Sequence, residues 1–147
     1  MVAAGQDRTG EPFDFLDARF TVVLSGADTQ GGACAVVTDR NRKGGPPLHV
    51  HPDQDEWYLV QEGRFTMRVG DETFNLGPGD SLLAPRGIPH AFASTTETAR
   101  MLVTFVPAGD MEAFFRDASA LEAPTPPDMA AAFARHGMRV LGPPMAV

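Results

Sequence analysis

The stretch HVHPDQDEWYLVQEG, residues 49–63, decides how the rest of the chain is read. It sets two histidines one residue apart, follows them with acids, and runs into an apolar Trp-Tyr-Leu-Val segment. Ionisable groups at the entrance of a buried strand are costly unless something pairs them. Residues two apart on a strand share a face, so His49 and His51 point together and Val50 points away. Two neutral imidazoles converging on one side form a two-point grip for a metal. Pro52 breaks the strand and resets the parity. Glu56 opens the next piece, with Tyr58 and Val60 on its face, and a hairpin-like return can bring it beside the two histidines. His90 comes much later, at the start of another strand behind the RGIP turn.

Outward from this stretch, short β-branched or alternating segments recur at near-regular spacing. Strands are expected over 19–24, 33–40, 48–51, 56–60, 65–69, 73–76, 81–85, 90–94 and 99–106, separated by Gly, Pro and Asp turns. This is the pattern of an all-β sandwich or barrel. Residues 1–18 read as a loose N-terminal arm and 19–106 as the barrel. Residues 107–147 read as a helical segment with an apolar tail. There, Met111, Phe114 and Phe115 lie at i, i+3 and i+4, which predicts a short amphipathic helix. An alanine-rich second helix follows, with Asp128 as its N-cap and Gly137 as its stop. Both helices are too short for a second domain and are expected to pack outside the barrel.

The composition excludes several classes. A length of 147 residues with 43% hydrophobic residues suits one domain with a real core. A formal charge of −7 argues against nucleic acid or an anionic membrane surface as partner. Cys34 is the only cysteine, so neither an internal disulfide nor a multi-thiolate metal site can form within one chain. The sequence shows neither a signal-peptide pattern nor a run of transmembrane length, so a cytoplasmic protein is expected.

GGPPLHVHPDQDEWYLVQEG resembles the first motif of the cupin superfamily, G-x5-H-x-H-x3/4-E-x6-G. His49, His51, Glu56 and Gly63 fall in place, and Gly44 stands one residue nearer than the pattern asks. GDSLLAPRGIPHAFAS resembles the second motif, G-x5-P-x-G-x2-H-x3-N, through Gly79, Pro85, Gly87 and His90; Ser94 replaces its asparagine. From about Phe13 onward the chain is similar to small single-domain, quercetin-dioxygenase-like cupins. The resemblance implies a jelly-roll β-barrel holding one divalent transition metal on His49, His51, Glu56 and His90. Fe(II) is favoured, with Ni, Mn, Co or Zn compatible with three nitrogens and a carboxylate. Four protein ligands leave room for water, substrate or dioxygen on a five- or six-coordinate ion, as a catalytic site requires.

Asp55 is a rival to Glu56 for the carboxylate position, and Asp53 and Asp55 otherwise cap the loop. Tyr58, Met67, Phe92 and Ser94 are the substrate-contact candidates, each with a plain core role as the alternative. His136 is expected to cap a helix C-terminus. Cys34 is expected to be a small buried apolar residue. The functional expectation is a metal-dependent dioxygenase or other oxygenase acting on a small aromatic or enol-type molecule, with Glu56 as ligand and base. Two alternatives stand beside it: a non-oxidative isomerase, cyclase or decarboxylase, and a small-ligand-binding cupin without catalysis. A homodimer is expected because outward-facing Trp57, Leu59 and Phe20 would leave a large apolar patch on a monomer.

Overall fold

The computed structural model describes residues 1–147. Its strands are β1 (Phe13–Phe15), β2 (Ala18–Leu24), β3 (Cys34–Arg40), β4 (Pro47–Val50), β5 (Asp55–Glu62), β6 (Phe65–Val69), β7 (Glu72–Leu76), β8 (Ser81–Ala84), β9 (His90–Ser94), β10 (Ala99–Val106) and β11 (Arg139–Pro144). Two helices, α1 (Met111–Ser119) and α2 (Pro126–Arg135), lie between β10 and β11. The strands form two antiparallel sheets, one ordered β1-β2-β3-β10-β5-β8 and the other β11-β4-β9-β6-β7. This is the expected all-β jelly roll, and both short helices follow its last central strand.

Alternation builds the core. β10 buries Ala99, Met101, Val103 and Phe105 while Arg100 and Val106 face out. Tyr58 and Val60 of β5 and Phe65 and Met67 of β6 join the same 27-residue cluster. The motif glycine Gly63 turns β5 into β6 at φ +72°, and a Cβ there would lie 2.5 Å from the Thr98 carbonyl oxygen. Only glycine combines that backbone conformation with that closeness.

Two strands go beyond the nine expected. β1 lies within the arm and pairs with β2; at three residues it is too short to show a period. β11 lies in the tail and pairs with β4. Its Gly142, Pro143 and Pro144 disguise it, and they are tolerated because β11 is an edge strand.

The helices close one end of the barrel. α1 buries Met111, Phe114, Phe115 and Ala118, matching the helical spacing of the first three. Phe115 stacks on Phe20 at a ring separation of 4.7 Å, and Phe114 meets Phe133 of α2 edge-on at 4.8 Å. This corrects the expectation of an outward Phe20, which is only 7% exposed, because α1 covers the inner face of β2. The cap of α2 is also corrected. Thr125 is the N-cap, Pro126 begins the helix, and Asp128 reaches back to the Thr125 backbone N–H at 2.8 Å as the other half of a capping box. His136 occupies the C-cap position as expected.

Candidate metal centre

The four motif residues come from different parts of the fold. His49 on β4 and His90 on β9 are register partners in the five-stranded sheet. Glu56 stands on β5 of the six-stranded sheet, opposite Ala84 and Phe105. His51 lies just past β4, before the Pro52–Asp53 turn that carries the chain to the other sheet. All four are buried, and one ligand atom from each lies within 4.8 Å of the others. Glu56 Oε2 is 3.0 Å from His51 Nε2, 2.9 Å from His90 Nε2 and 3.9 Å from His49 Nε2.

The outer nitrogens determine what these inner atoms carry. His49 Nδ1 lies 2.8 Å from the Pro47 carbonyl oxygen, and His90 Nδ1 lies 2.9 Å from that of Ile88. Carbonyl oxygens only accept, so both Nδ1 atoms must donate. His51 Nδ1 lies 2.6 Å from Gln54 Oε1. The Gln54 amide cannot be reversed, because its nitrogen donates to the Pro107 and Ala108 carbonyls at 2.8 and 3.0 Å. With Nδ1 donating, an imidazole in its neutral form turns a lone pair on Nε2 toward the others and toward an anionic oxygen. Burial lowers the His90 value, but the Glu56 carboxylate outweighs this and raises it, so a protonated His90 donates Nε2–H to Glu56 at 2.9 Å. His51 Nε2 makes no aligned hydrogen bond despite its closeness to Glu56. Converging lone pairs repel unless a cation or a proton lies among them, so the donor set fits a bound metal ion. Outer partners that fix imidazole tautomers in this way are the usual support of a metal site.

Burial sets the charge states. It drives the His49 value down to about 3, with the nearby His90 adding to the effect, so His49 is neutral. Burial pushes the Glu56 carboxyl up, but the facing His51 and His90 outweigh it and hold the group well below the ordinary carboxylate range. Burial also suppresses ionisation of Tyr58, reinforced by the Glu56 charge. The Tyr58 hydroxyl lies near that carboxylate but makes no well-formed hydrogen bond.

Beside the cluster is a cavity of about 40 Å³, bordered by His49, His51, Glu56, Phe92, Phe114 and Phe133. Phe133 meets the His49 ring edge-on at 5.2 Å, so α2 forms part of the wall. Among the substrate-contact candidates, Phe92 borders this space and Tyr58, Met67 and Ser94 do not. Met67 is core, paired with Phe92 across β6 and β9. Ser94 Oγ donates to the Arg42 carbonyl at 2.9 Å, which ties down the loop before β4. Asp55 is outside the cluster, bound to the Arg86 guanidinium at 2.9 Å. The Cys34 thiol is buried, which pushes its value up to about 12 and leaves it unreactive at neutral pH.

The sequence reading missed Gln54, Arg40 and the phenylalanines of the helices. Gln54 lies between the motif residues, where the spacing admits any side chain. Arg40 was within reach of parity, since Cys34, Val36, Thr38 and Arg40 share the buried face of β3.

A jelly roll with three imidazoles and one carboxylate converging inside it offers a candidate metal site within a β-barrel. Residues 37–106 match the family model described as the cupin domain. Over 107 residues the chain is 33% identical to quercetin 2,3-dioxygenase of Bacillus subtilis, covering 71% of this chain and 31% of that protein. The chain spans between about a third and a half of the curated relatives it matches. Among solved structures it resembles KdgF from Halomonas sp., with a TM-score of 0.61 and 21% identity over 69% of this chain and 92% of the other. It also resembles Pac13, described as a nucleoside dehydratase, with a TM-score of 0.58 and 18% identity over 69% and 79%. Residues 37–106 of the barrel are thus a cupin domain.

Proposed function

We propose that the chain is a metal-dependent oxygenase, quercetinase-like in class, acting on a small aromatic or enol-type organic molecule. His49, His51, Glu56 and His90 would hold one divalent transition metal, with Fe(II) favoured for a site of three nitrogens and one carboxylate. The observation that carries the reading is the convergence of three imidazole Nε2 atoms and Glu56 Oε2 beside a mostly apolar cavity. The likeness to the Bacillus subtilis quercetin 2,3-dioxygenase supports the oxygenase class. When bound, such a metal supplies Lewis acidity and, as Fe(II), a one-electron redox partner.

The residues of the chain do the remaining work. Glu56 Oε2 faces the imidazoles, leaving Oε1 to take a proton from an enolisable substrate. Phe92, Phe114 and Phe133 exclude water from the reacting end and offer flat apolar surface to an aromatic body. A homodimer belongs to the same reading. It rests on Trp57 and Leu83, neighbours across β5 and β8, which are 36% and 48% exposed. A cytoplasmic location is also part of the proposal; no helix is long and apolar enough to cross a membrane.

The test is elemental analysis of freshly purified protein, followed by an oxygen-uptake screen with flavonols and simple enols. Stoichiometric metal with substrate-dependent oxygen uptake is expected. Equal turnover without oxygen would reassign the site to isomerisation, cyclisation or decarboxylation. Absence of bound metal under all loading conditions would refute the centre itself.

A further inference from the structure

Arg40 ends β3 on its buried face and borders the same cavity as His49 and Glu56. It is only 5% exposed, and its Nε is buried without any hydrogen-bond partner. One of its donors is used, Nη2 binding the Leu16 carbonyl oxygen at 2.9 Å. A guanidinium stays protonated in proteins and presents five donors, of which the buried Nε is unmet.

The acids nearby do not serve it. A surface groove that Arg40 also borders contains Asp14, Asp17 and Asp39. Asp14 is bound to Arg19 at 2.9 Å, Asp17 to Arg42 at 3.5 Å and Asp39 to Arg100 at 2.6 Å. No carboxylate reaches Arg40 within ion-pair distance. Burial lowers its affinity for its own proton, and Asp17 only partly compensates at longer range. A buried cation without a counter-ion is destabilising unless something pairs it. The fold retains this cost in the wall of the cavity that also holds His49, His51 and Glu56.

We infer that Arg40 is an anion-recognition residue for this cavity, and that the molecule bound there carries a carboxylate. The inference rests on the proposed function for the identity of the reacting end, which lies toward His49 and Glu56. The substrate class narrows accordingly to small organic acids with an apolar or aromatic body and an enolisable or oxidisable position near the carboxylate. Planar guanidinium suits this task because it can offer paired donors to both carboxylate oxygens. The one competing role on the structure is mechanical. Leu16 and Asp17 form the β1–β2 turn with φ of 50° and 55°, and Arg40 holds its carbonyl.

Calorimetric titration with carboxylate and amide pairs separates these roles. The probes are acetate against acetamide, benzoate against benzamide, and phenylpyruvate against its amide, on protein loaded with redox-inert Zn(II) and on metal-stripped protein. The variant is Arg40→Gln, which removes the charge. Its amide ends two bonds short of Nη2 and gives up the Leu16 carbonyl as well, so the acid-over-amide preference, which a purely mechanical role would not create, is the readout. The parent is expected to prefer at least one acid over its amide by roughly 10- to 100-fold, the scale of a charge-assisted hydrogen bond. Arg40→Gln should bring the two within about threefold, with Zn(II) affinity by chelator competition unchanged. A preference that survives in Arg40→Gln, or no saturable binding of any acid by the parent at millimolar concentration, overturns the inference. The metal-stripped arm stands independently of the proposed function. A preference there that Arg40→Gln abolishes upholds Arg40 even if the protein takes up no metal. Should Arg40→Gln fail to fold, Arg40→Lys replaces it. Retained acid preference with reduced affinity then supports the inference, and unaltered affinity for every pair overturns it.

Discussion

Replacing Gln54 by Leu tests how the proposed metal centre is held together. The amide spends its oxygen on His51 Nδ1 at 2.6 Å and its nitrogen on the Pro107 and Ala108 carbonyls at 2.8 and 3.0 Å. Leucine fills similar space and makes none of these bonds. His51 then loses the acceptor that keeps its proton on Nδ1, and its ring is free to tautomerise or turn. Loss of one such outer partner costs about 10- to 100-fold in metal affinity, or about 1.4 to 2.7 kcal/mol. The carbonyls left without a donor cost stability as well, about 1–3 kcal/mol for a buried unsatisfied group. Gln54→Glu is the informative companion. Its carboxylate still accepts from His51 Nδ1, but it confronts two carbonyl oxygens where the amide donated. It should therefore lose stability yet bind metal far better than Gln54→Leu. Chelator competition with Zn(II) gives the affinities, and thermal melting of the metal-free proteins gives the stabilities. Folded Gln54→Leu that binds Zn(II) as tightly as the parent would refute the argument that His51 is oriented through Gln54.

Other substitutions probe neighbouring claims. His90→Ala should leave the barrel folded, since β9 keeps its pairing with β6, but should lose metal; stoichiometric tight binding in this variant would rule out the ligand set. Glu56→Gln keeps the side-chain length and an oxygen for the metal but supplies no base. At matched metal content, turnover of a substrate found in the oxygen screen should fall by roughly two to four orders of magnitude, and unchanged turnover would remove the carboxylate from proton transfer. His136 should act as a pH-dependent clasp: its ring bridges Asp110 and Asp117 on either side, tying the end of α2 to α1. Burial alone lowers its value, but the two aspartates outweigh that and raise it above the ordinary imidazole value. The folded chain therefore binds the proton more tightly than the unfolded chain. The stabilisation is full below about pH 6.5 and is lost as pH rises through the raised folded value. With both carboxylates more than half exposed, His136→Gln should cost about 1 kcal/mol at pH 6 and almost nothing at pH 9. An equal cost at both pH values in denaturant titrations would show that the ring matters for packing alone.

The barrel and the shared face of His49 and His51 were legible in the sequence because both depend on local rules, whereas Glu56 and His90 were set beside them only through the resemblance to cupins. Period-two alternation places Tyr58 and Val60 or Met101 and Val103 inward whatever surrounds them. His49 and His51 share a face because strand positions two steps apart have equal parity. Turn chemistry demands glycine at Gly63. What the chain order could not express was which distant segments would meet. The sequence left Phe20 looking outward because α1, some ninety positions later, is what covers it. β11 stayed hidden because an edge strand with one partner can carry Gly142 and two prolines that a central strand would reject. The role of Gln54 depends on the Pro107 and Ala108 carbonyls arriving from the far end of β10. Arg40 is exceptional because neighbouring acids chose other arginines. Strand parity and turn conformation are properties of adjacent residues, so sequence determines them directly. Cover, tautomer and counter-ion are properties of the three-dimensional neighbourhood, and only the folded chain decides them.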